Sequence, residues 1–275
     1  MNTTIYTEKQ PKTSAENNES LSFIDKQVDI YDEIKAIVIP DVHGRKFWKD
    51  AIPFIEKGVK TIFLGDYLDP YSHEGISKKE AIDNFDEIIK IADENKNVIL
   101  LVGNHDTTYL YPEAEICYCR TDEKNFDLIK EMFNYIKPRL KLIVKVGDIM
   151  ISHAGLHNEW IKQIEPLLNK WYPDKSLIES LNTLIHETDI NRLNILADVS
   201  KYRGGHELAG SCVWADIKEF ANGNHRYKQI VGHTMCFNPI ILKNERIIDI
   251  DCQKCFYIDI NNDLRILKTN QLVSI

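Results

Sequence analysis

The sequence predicts an α/β fold. Three short apolar runs, Ala36–Ile39 (AIVI), Thr61–Leu64 (TIFL) and Val98–Val102 (VILLV), read as buried strands. Helix-period stretches separate them, giving strand–helix–strand–helix–strand and a mostly parallel sheet in the first half. Each run stops abruptly at a polar cluster: DVH, GDYLD and GNHD.

The first run leads through Pro40 into Asp41-Val42-His43-Gly44-Arg45 and a helical stretch from Lys46 to Glu56. The second leads into Gly65-Asp66-Tyr67-Leu68-Asp69. Next comes a helix that Ser77 and Glu80 open as a capping box. Its apolar stripe is Ala81, Ile82, Phe85, Ile88, Ile89 and Ala92. The third run ends at Gly103-Asn104-His105-Asp106. Alone, that string reads as a polar turn, because Gly, Asn and Asp are turn formers.

The second half is richer in strands. KLIVKV and IMISH pair as a hairpin around Gly147-Asp148. Residues 157–194 are helical, with one stripe through Trp160, Ile161, Ile164, Leu167 and Leu168 and another through Leu177, Ile178, Leu181, Leu184 and Ile185; this segment is expected to cap the site. QIVGHT is a further strand ending in a His, and RIIDIDCQKCFYIDINNDLRILKT reads as a closing antiparallel meander. The polar residues 1–30 read as a flexible tail before one domain over 31–275. There is no internal repeat.

The chain has 275 residues, 43% hydrophobic and 28% charged, the balance of an ordinary soluble globular protein. Its net charge of −8 and scattered cations argue against gripping nucleic acid through phosphates. No apolar run reaches bilayer-spanning length, and the start lacks the charged-then-apolar order of an export signal. A cytoplasmic protein without a membrane role is the expectation. Cys117/Cys119 and Cys252/Cys255 form two close pairs among six cysteines. An even count could mean disulfides, but a chain of this length needs no such staples; the two pairs could together hold zinc, but a long, otherwise structured stretch separates them, so they read as reduced thiols.

Ligands of open α/β sheets bind outside the carboxyl ends of the strands. Asp41, His43, Asp66, Asp69, Asn104, His105, Asp106, His153 and His233 should therefore gather on one edge. A single His after a strand is ordinary; five polar clusters, each behind a β run, form a pattern. Carboxylates, imidazoles and an amide suit divalent ions. Carboxylates crowded this way repel one another unless a cation lies between them.

In order and spacing, D-x-H, G-D-x-x-D, G-N-H-D, H and G-H, the chain resembles the calcineurin-like metallophosphoesterases over roughly residues 34–252. The resemblance implies an αββα sandwich of two mixed sheets flanked by helices, with cap-like insertions at about 107–137 and 157–211. It implies two divalent ions, Mn²⁺ first with Fe or Zn as alternatives. Asp41, His43 and Asp66 would hold one ion. Asp66 would bridge to the other, completed by Asn104, His153 and His233. A bridging hydroxide would attack phosphorus, His105 would protonate the departing oxygen, and Asp69 would orient His105. Gly103 is expected to let the backbone turn sharply. Asp106 has no assigned role beyond bracing the loop.

Met235 in GHTM stands where many diesterases of this superfamily carry a second His. DVHG, GDYLD and SHAGL resemble instead the Ser/Thr protein phosphatase and diadenosine tetraphosphatase branch. One departure is plain: Pro70 follows Asp69 where that branch has a phosphate-clamping Arg. Arg203 and Arg45 are the candidate replacements, with Arg120 a third. His73, His157 and His206 match no motif, and Tyr67 and Trp214 read as packing or stacking residues. The implied substrate is a phosphate monoester, on a protein or a small molecule. A dinucleoside polyphosphate, a phosphodiester and a non-catalytic metal-binding scaffold are the alternatives; the presence of both His105 and Asp69 counts against the scaffold.

Overall fold

The computed structural model describes residues 30–113, 119–222, 225–242 and 246–267. The tail expected over 1–30, apart from Ile30, and Cys117 of the first cysteine pair lie outside the described residues.

Two five-stranded mixed sheets pack face to face. The first holds β1 (Ile34–Ile39), β2 (Thr61–Phe63) and β3 (Val98–Leu100), all parallel, with β9 (Phe256–Asp259) antiparallel beside β1 and β10 (Leu264–Ile266) beyond it. The second holds β4 (Ile143–Val146) antiparallel to β5 (Ile149–Ser152), then β6 (Lys228–Val231) and β8 (Ile247–Asp249) parallel to β5, and β7 (Ile240–Leu242) antiparallel at the edge. This is the αββα arrangement the motifs imply.

Alternation along the strands sorts their side chains. Ala36, Val38 and Ile62 from the first sheet meet Val144, Ile149, Ile151 and Ile230 from the second between the sheets. Ile37, Ile39 and Phe63 point outward into the helical layer, with Phe85 and Ile88 of α2 (Lys78–Glu94) and Phe133 of α4 (Phe126–Ile136). The Ser77–Glu80 capping box opens α2 as expected, and each partner satisfies the other's backbone N–H.

α5 (Asn158–Trp171) and α6 (Leu177–Leu184) share a core with Ile143 and Met150, the outward-facing residues of the second sheet. The Asn182 side chain ties α6 to β4 by accepting from the Leu142 and Ile143 N–H groups and donating to the Ile143 carbonyl. This helical pair therefore covers a sheet face; only the later part of the 157–211 segment, around Arg203, reaches the polar cluster.

Two local readings change. The closing segment is not one meander. β8 enters the second sheet parallel to β6, the chain crosses over, and only β9 and β10 form an antiparallel hairpin in the first sheet. GNHD is not a turn: Asn104 starts α3 (Asn104–Leu110), which is buried along its whole length. The turn formers are there, but tertiary burial of the following TTYL run favours a helix.

Candidate metal centre

The clusters converge because the parallel strands of both sheets end at one edge. Asp41 follows β1, Asp66 follows β2, Asn104 follows β3, His153 follows β5 and His233 follows β6. Loops of one sheet are joined directly: His43 N–H donates to the Asp66 carbonyl at 2.7 Å, and Gly232 N–H to the His153 carbonyl at 2.7 Å. The sheets are also joined to each other. The His233 N–H lies 3.1 Å from both Asp41 carboxylate oxygens, and His153 Nδ1 lies 3.0 Å from the Leu64 carbonyl.

The backbone here is strained. His43, Asp66, Asp69 and His233 have φ of 45°, 51°, 59° and 71°, four of the six non-glycine residues in the left-handed region among the described residues. Such conformations persist only where surrounding bonds over-determine them, and they concentrate at functional sites. Gly103 has an ordinary φ of −97°, so the expected sharp turn is not its role. A Cβ there would stand 2.2 Å from Asp66 Oδ1. The glycine is required by the close approach of the carboxylate.

The imidazole tautomers follow from their partners. A carbonyl only accepts, so His43 Nδ1, 2.8 Å from the Leu68 carbonyl, and His153 Nδ1, 3.0 Å from the Leu64 carbonyl, both carry protons. Their Nε2 lone pairs then face inward. Asp66 Oδ2 lies between them, 3.5 Å from His43 Nε2 and 3.7 Å from His153 Nε2. Asn104 Oδ1 is 3.0 Å from His153 Nε2, and its Nδ2 donates to Cys119 Sγ. His233 Nδ1 is 3.1 Å from the same His153 nitrogen, and its buried Nε2 has no hydrogen-bond partner among the described residues.

Ligand atoms of Asp41, Asp66, His153 and His233 lie within 4.8 Å of one another, as do those of His43, Asp66 and His105. Asp66 is common to both groups. In this grouping Asp41 falls with His153 and His233. No Cys enters a group among the described residues, so the zinc alternative for the cysteine pairs gains nothing.

Burial sets the electrostatics. It pushes the Asp41 carboxyl up to about 6, although the His233 N–H and the cations Arg45 and Arg203 pull the other way. Burial, together with the charges of Asp41 and Asp106, raises Asp66 further. Burial lowers His153 to about 3 and lowers His43 and His233 as well, so these rings are neutral donors of lone pairs. An amide oxygen facing an unprotonated nitrogen at 3.0 Å, with crowded buried carboxylates, is an acceptor-rich arrangement that a cation resolves. The residues present fit divalent metal.

The family model of the calcineurin-like phosphoesterases matches residues 34–237. The chain belongs to this family. No curated protein matches it. Among solved structures, this calcineurin-like phosphoesterase is similar to a cold-active protein-tyrosine phosphatase from a psychrophilic Shewanella species (15% identity, TM-score 0.48, 86% of this chain and 81% of that one). It is also similar to a protein serine/threonine phosphatase from Saccharomyces cerevisiae described as similar to human phosphatase PP5 (16%, 0.45, 82% and 73%). A third is a candidate diadenosine tetraphosphatase (13%, 0.42, 85% and 93%). Family membership implies phosphoester hydrolysis with divalent metal. No helix among the described residues is long and apolar enough to cross a membrane.

Around the phosphoesterase centre, His105 Nδ1 lies 3.0 Å from Asp69 Oδ2 and 3.2 Å from the Arg120 carbonyl, and Nε2 has no hydrogen-bond partner among the described residues. Asp106 has a definite place: its carboxylate accepts from the N–H groups of Asp66, Tyr67 and Gly103 at 2.8, 3.2 and 2.8 Å. It braces the second and third loops together. Arg203 Nη2 donates to the His233 carbonyl and Thr234 Oγ1, and its Nε pairs with Asp216 at 2.9 Å. Arg45 pairs with Glu74 at 2.8 Å and donates to the Asp41 carbonyl. Tyr67 is core, stacked on Phe85 at 4.9 Å. Trp214 sits edge-on to His233 at 5.8 Å. His73 and His206 are exposed, and His157 caps α5.

Sequence reasoning missed three neighbours of the site. Tyr109 donates to Asp69 Oδ1 at 2.7 Å. Asp249 and Asp251, fully or almost fully buried at the end of β8, each keep one oxygen without a hydrogen bond among the described residues. The IDID string ends a strand as the other clusters do, which was the available signal; its meander reading concealed it.

Proposed function

We propose that this protein is a dinuclear metal-dependent phosphomonoesterase. The observation that carries the reading is the position of Asp66 Oδ2 between His43 Nε2 and His153 Nε2, at 3.5 and 3.7 Å, with both Nδ1 protons committed to carbonyls. Asp66 would be the ligand shared between two ions. His43 would hold one, with Asp41 assigned to that ion by motif order; Asn104, His153 and His233 would hold the other. When bound, such an ion pair supplies a hydroxide at neutral pH and charge to offset the phosphoryl oxygens. Mn²⁺ suits the mixed O and N donors, and a cytoplasmic site of action suits the reduced thiols.

The protein's own groups do the rest. His105, with its Nδ1 proton held by Asp69, gives a proton from Nε2 to the departing oxygen. The carboxylate fixes the ring orientation and stabilises the imidazolium form. Arg203 and Arg45, both close enough to act on Asp41, are the cations available to the phosphoryl oxygens. Arg203 is the better clamp: it is partly exposed and held by three partners, whereas Arg45 is buried against Glu74. The substrate is a phosphorylated protein or small molecule.

The test is hydrolysis of p-nitrophenyl phosphate and bis-p-nitrophenyl phosphate by protein stripped of metal and resupplied with Mn²⁺. Turnover of the monoester, lost on chelation, is the expected result. Preference for the diester overturns the monoesterase assignment. Silence on both by protein that binds two ions favours the scaffold.

A further inference from the structure

Sequence spacing pairs Cys252 with Cys255, but the fold separates them. Cys252 lies between the sheets with Ile250, Phe256 and Ile258. Cys255 turns into the helical layer, where its thiol donates to the Phe47 carbonyl at 3.4 Å. The sulfur that Cys252 meets is that of Cys236, from the loop after His233.

Cys236 packs against the same inter-sheet cluster as Cys252. Its N–H donates to the Asp251 carbonyl at 2.9 Å, so the two cysteines sit on neighbouring backbones. Backbones joined this way run about 4.8 Å apart, and a disulfide spans Cα separations of about 4.4–6.8 Å. Both are free thiols, and the Cys236 S–H donates to Cys252. That bond pulls the Cys252 thiol down, against burial and with help from Lys254, and it pushes Cys236 up. Cys252 is the readier thiolate of the pair, and Cys236 holds the proton. Cys252 is buried, whereas Cys236 is partly exposed between the exposed Met235 and Phe237 and gives solvent a way in.

Each cysteine is tied to one side of the metal centre. Cys236 ends the loop whose His233 carbonyl and Thr234 hydroxyl hold Arg203. Cys252 precedes Gln253, which has φ 58° and donates to Glu74, the partner of Arg45. A covalent bond draws two sulfurs to about 2.05 Å, and the loops that carry them must follow.

We propose that Cys236 and Cys252 form a peroxide-reactive dithiol, and that their disulfide reversibly lowers turnover at the adjacent metal centre. The Cys252 thiolate attacks one peroxide oxygen. The O–O bond breaks, hydroxide leaves and becomes water, and Cys252 carries a sulfenic acid. The Cys236 sulfur then displaces the hydroxyl group from Cys252. Its own proton departs with that group as a second water, and the S–S bond forms. Two electrons pass from the sulfurs to peroxide, and a dithiol returns them by exchange. The effect on turnover rests on the phosphomonoesterase reading; the disulfide does not.

The test treats metal-stripped protein with hydrogen peroxide and removes the peroxide before any metal is restored, so that metal oxidation does not enter. One portion is alkylated, digested and mapped by mass spectrometry. We expect a peptide pair linked through Cys236 and Cys252, lighter by two hydrogens and absent after dithiothreitol. A second portion receives Mn²⁺ and is assayed with p-nitrophenyl phosphate. Here kcat/KM should fall by about tenfold, the scale of a small displacement of a substrate-binding group, and recover with dithiothreitol. Recovery separates this loss from oxidation of Met235, which dithiothreitol does not reverse. Cys236→Ser should keep the rate of the reduced protein and remove both the link and the loss; Cys255→Ala should retain both. A link between Cys252 and Cys255, or no link, overturns the dithiol assignment. The expected link with unchanged kcat/KM, or a loss that persists in Cys236→Ser, overturns its coupling to the centre. Reduced protein that hydrolyses no monoester with Mn²⁺ overturns the phosphomonoesterase reading, and the mapped link in that case still supports the dithiol.

Discussion

Asp69 Oδ2 and His105 Nδ1 are 3.0 Å apart, and the second Asp69 oxygen accepts from Tyr109 at 2.7 Å. The carboxylate is held from both sides, so the imidazole it orients is held too. Asp69 adopts φ 59° to reach this place. A residue kept in a strained backbone conformation with every oxygen engaged is suited to positioning a proton donor.

His105→Asn should keep metal bound and slow cleavage most for poor leaving groups, by about 10²-fold or more, with smaller losses for activated aryl esters. A plot of rate against leaving-group acidity checks this. A uniform loss across the series would remove the proton-donor role.

Asp66→Asn takes away the charge shared by the two ligand groups. We expect loss of metal-dependent turnover and a fall in bound metal from two ions to one or none, measured by elemental analysis after gel filtration. Full activity with two ions would remove Asp66 from the bridging position.

Arg203→Ala should raise KM for phosphate monoesters by about tenfold, the scale of one charge-assisted hydrogen bond. Its structural partner gives the control: Asp216→Asn breaks the 2.9 Å pair but keeps the cation, and should affect KM less. An unchanged KM in Arg203→Ala would return that residue to a structural role.

Metal removal should show a defined pH dependence. Asp41 is raised by burial from an ordinary value of 3.8 to about 6 in the metal-free protein. The folded state then holds the proton more tightly than the unfolded state. This contribution to stability is full below pH 4, falls as pH rises from 4 to 6, and is flat above. Bound cations favour the ionised carboxylate and cancel the loss. The gap in Tm between metal-loaded and chelated protein should therefore widen from pH 4 to 6, and metal uptake at pH 5 should release protons into the buffer. A gap that narrows over this range would contradict the assignment.

The sequence by itself determined the strand ends and what they carry. β1, β2, β3 and β5 lie in short, nearly continuous apolar runs and β6 ends in one, and each is followed closely by its polar group, so Asp41, Asp66, Asn104, His153 and His233 were legible as a set. The helix α2 was equally legible, because its capping box and stripe are local signals. What only the tertiary structure decided are relationships across the chain. The His153 tautomer depends on the Leu64 carbonyl from another sheet. The need for Gly103 comes from the Asp66 carboxylate, not from its own φ. Asp106 gained its role from three N–H groups, two of them in the second loop. The routing of β8 and β9 into different sheets was hidden because the sequence between them shows alternation but not partners. Periodicity records which face of an element is buried; the groups that meet across that face are chosen only when the sheets pack.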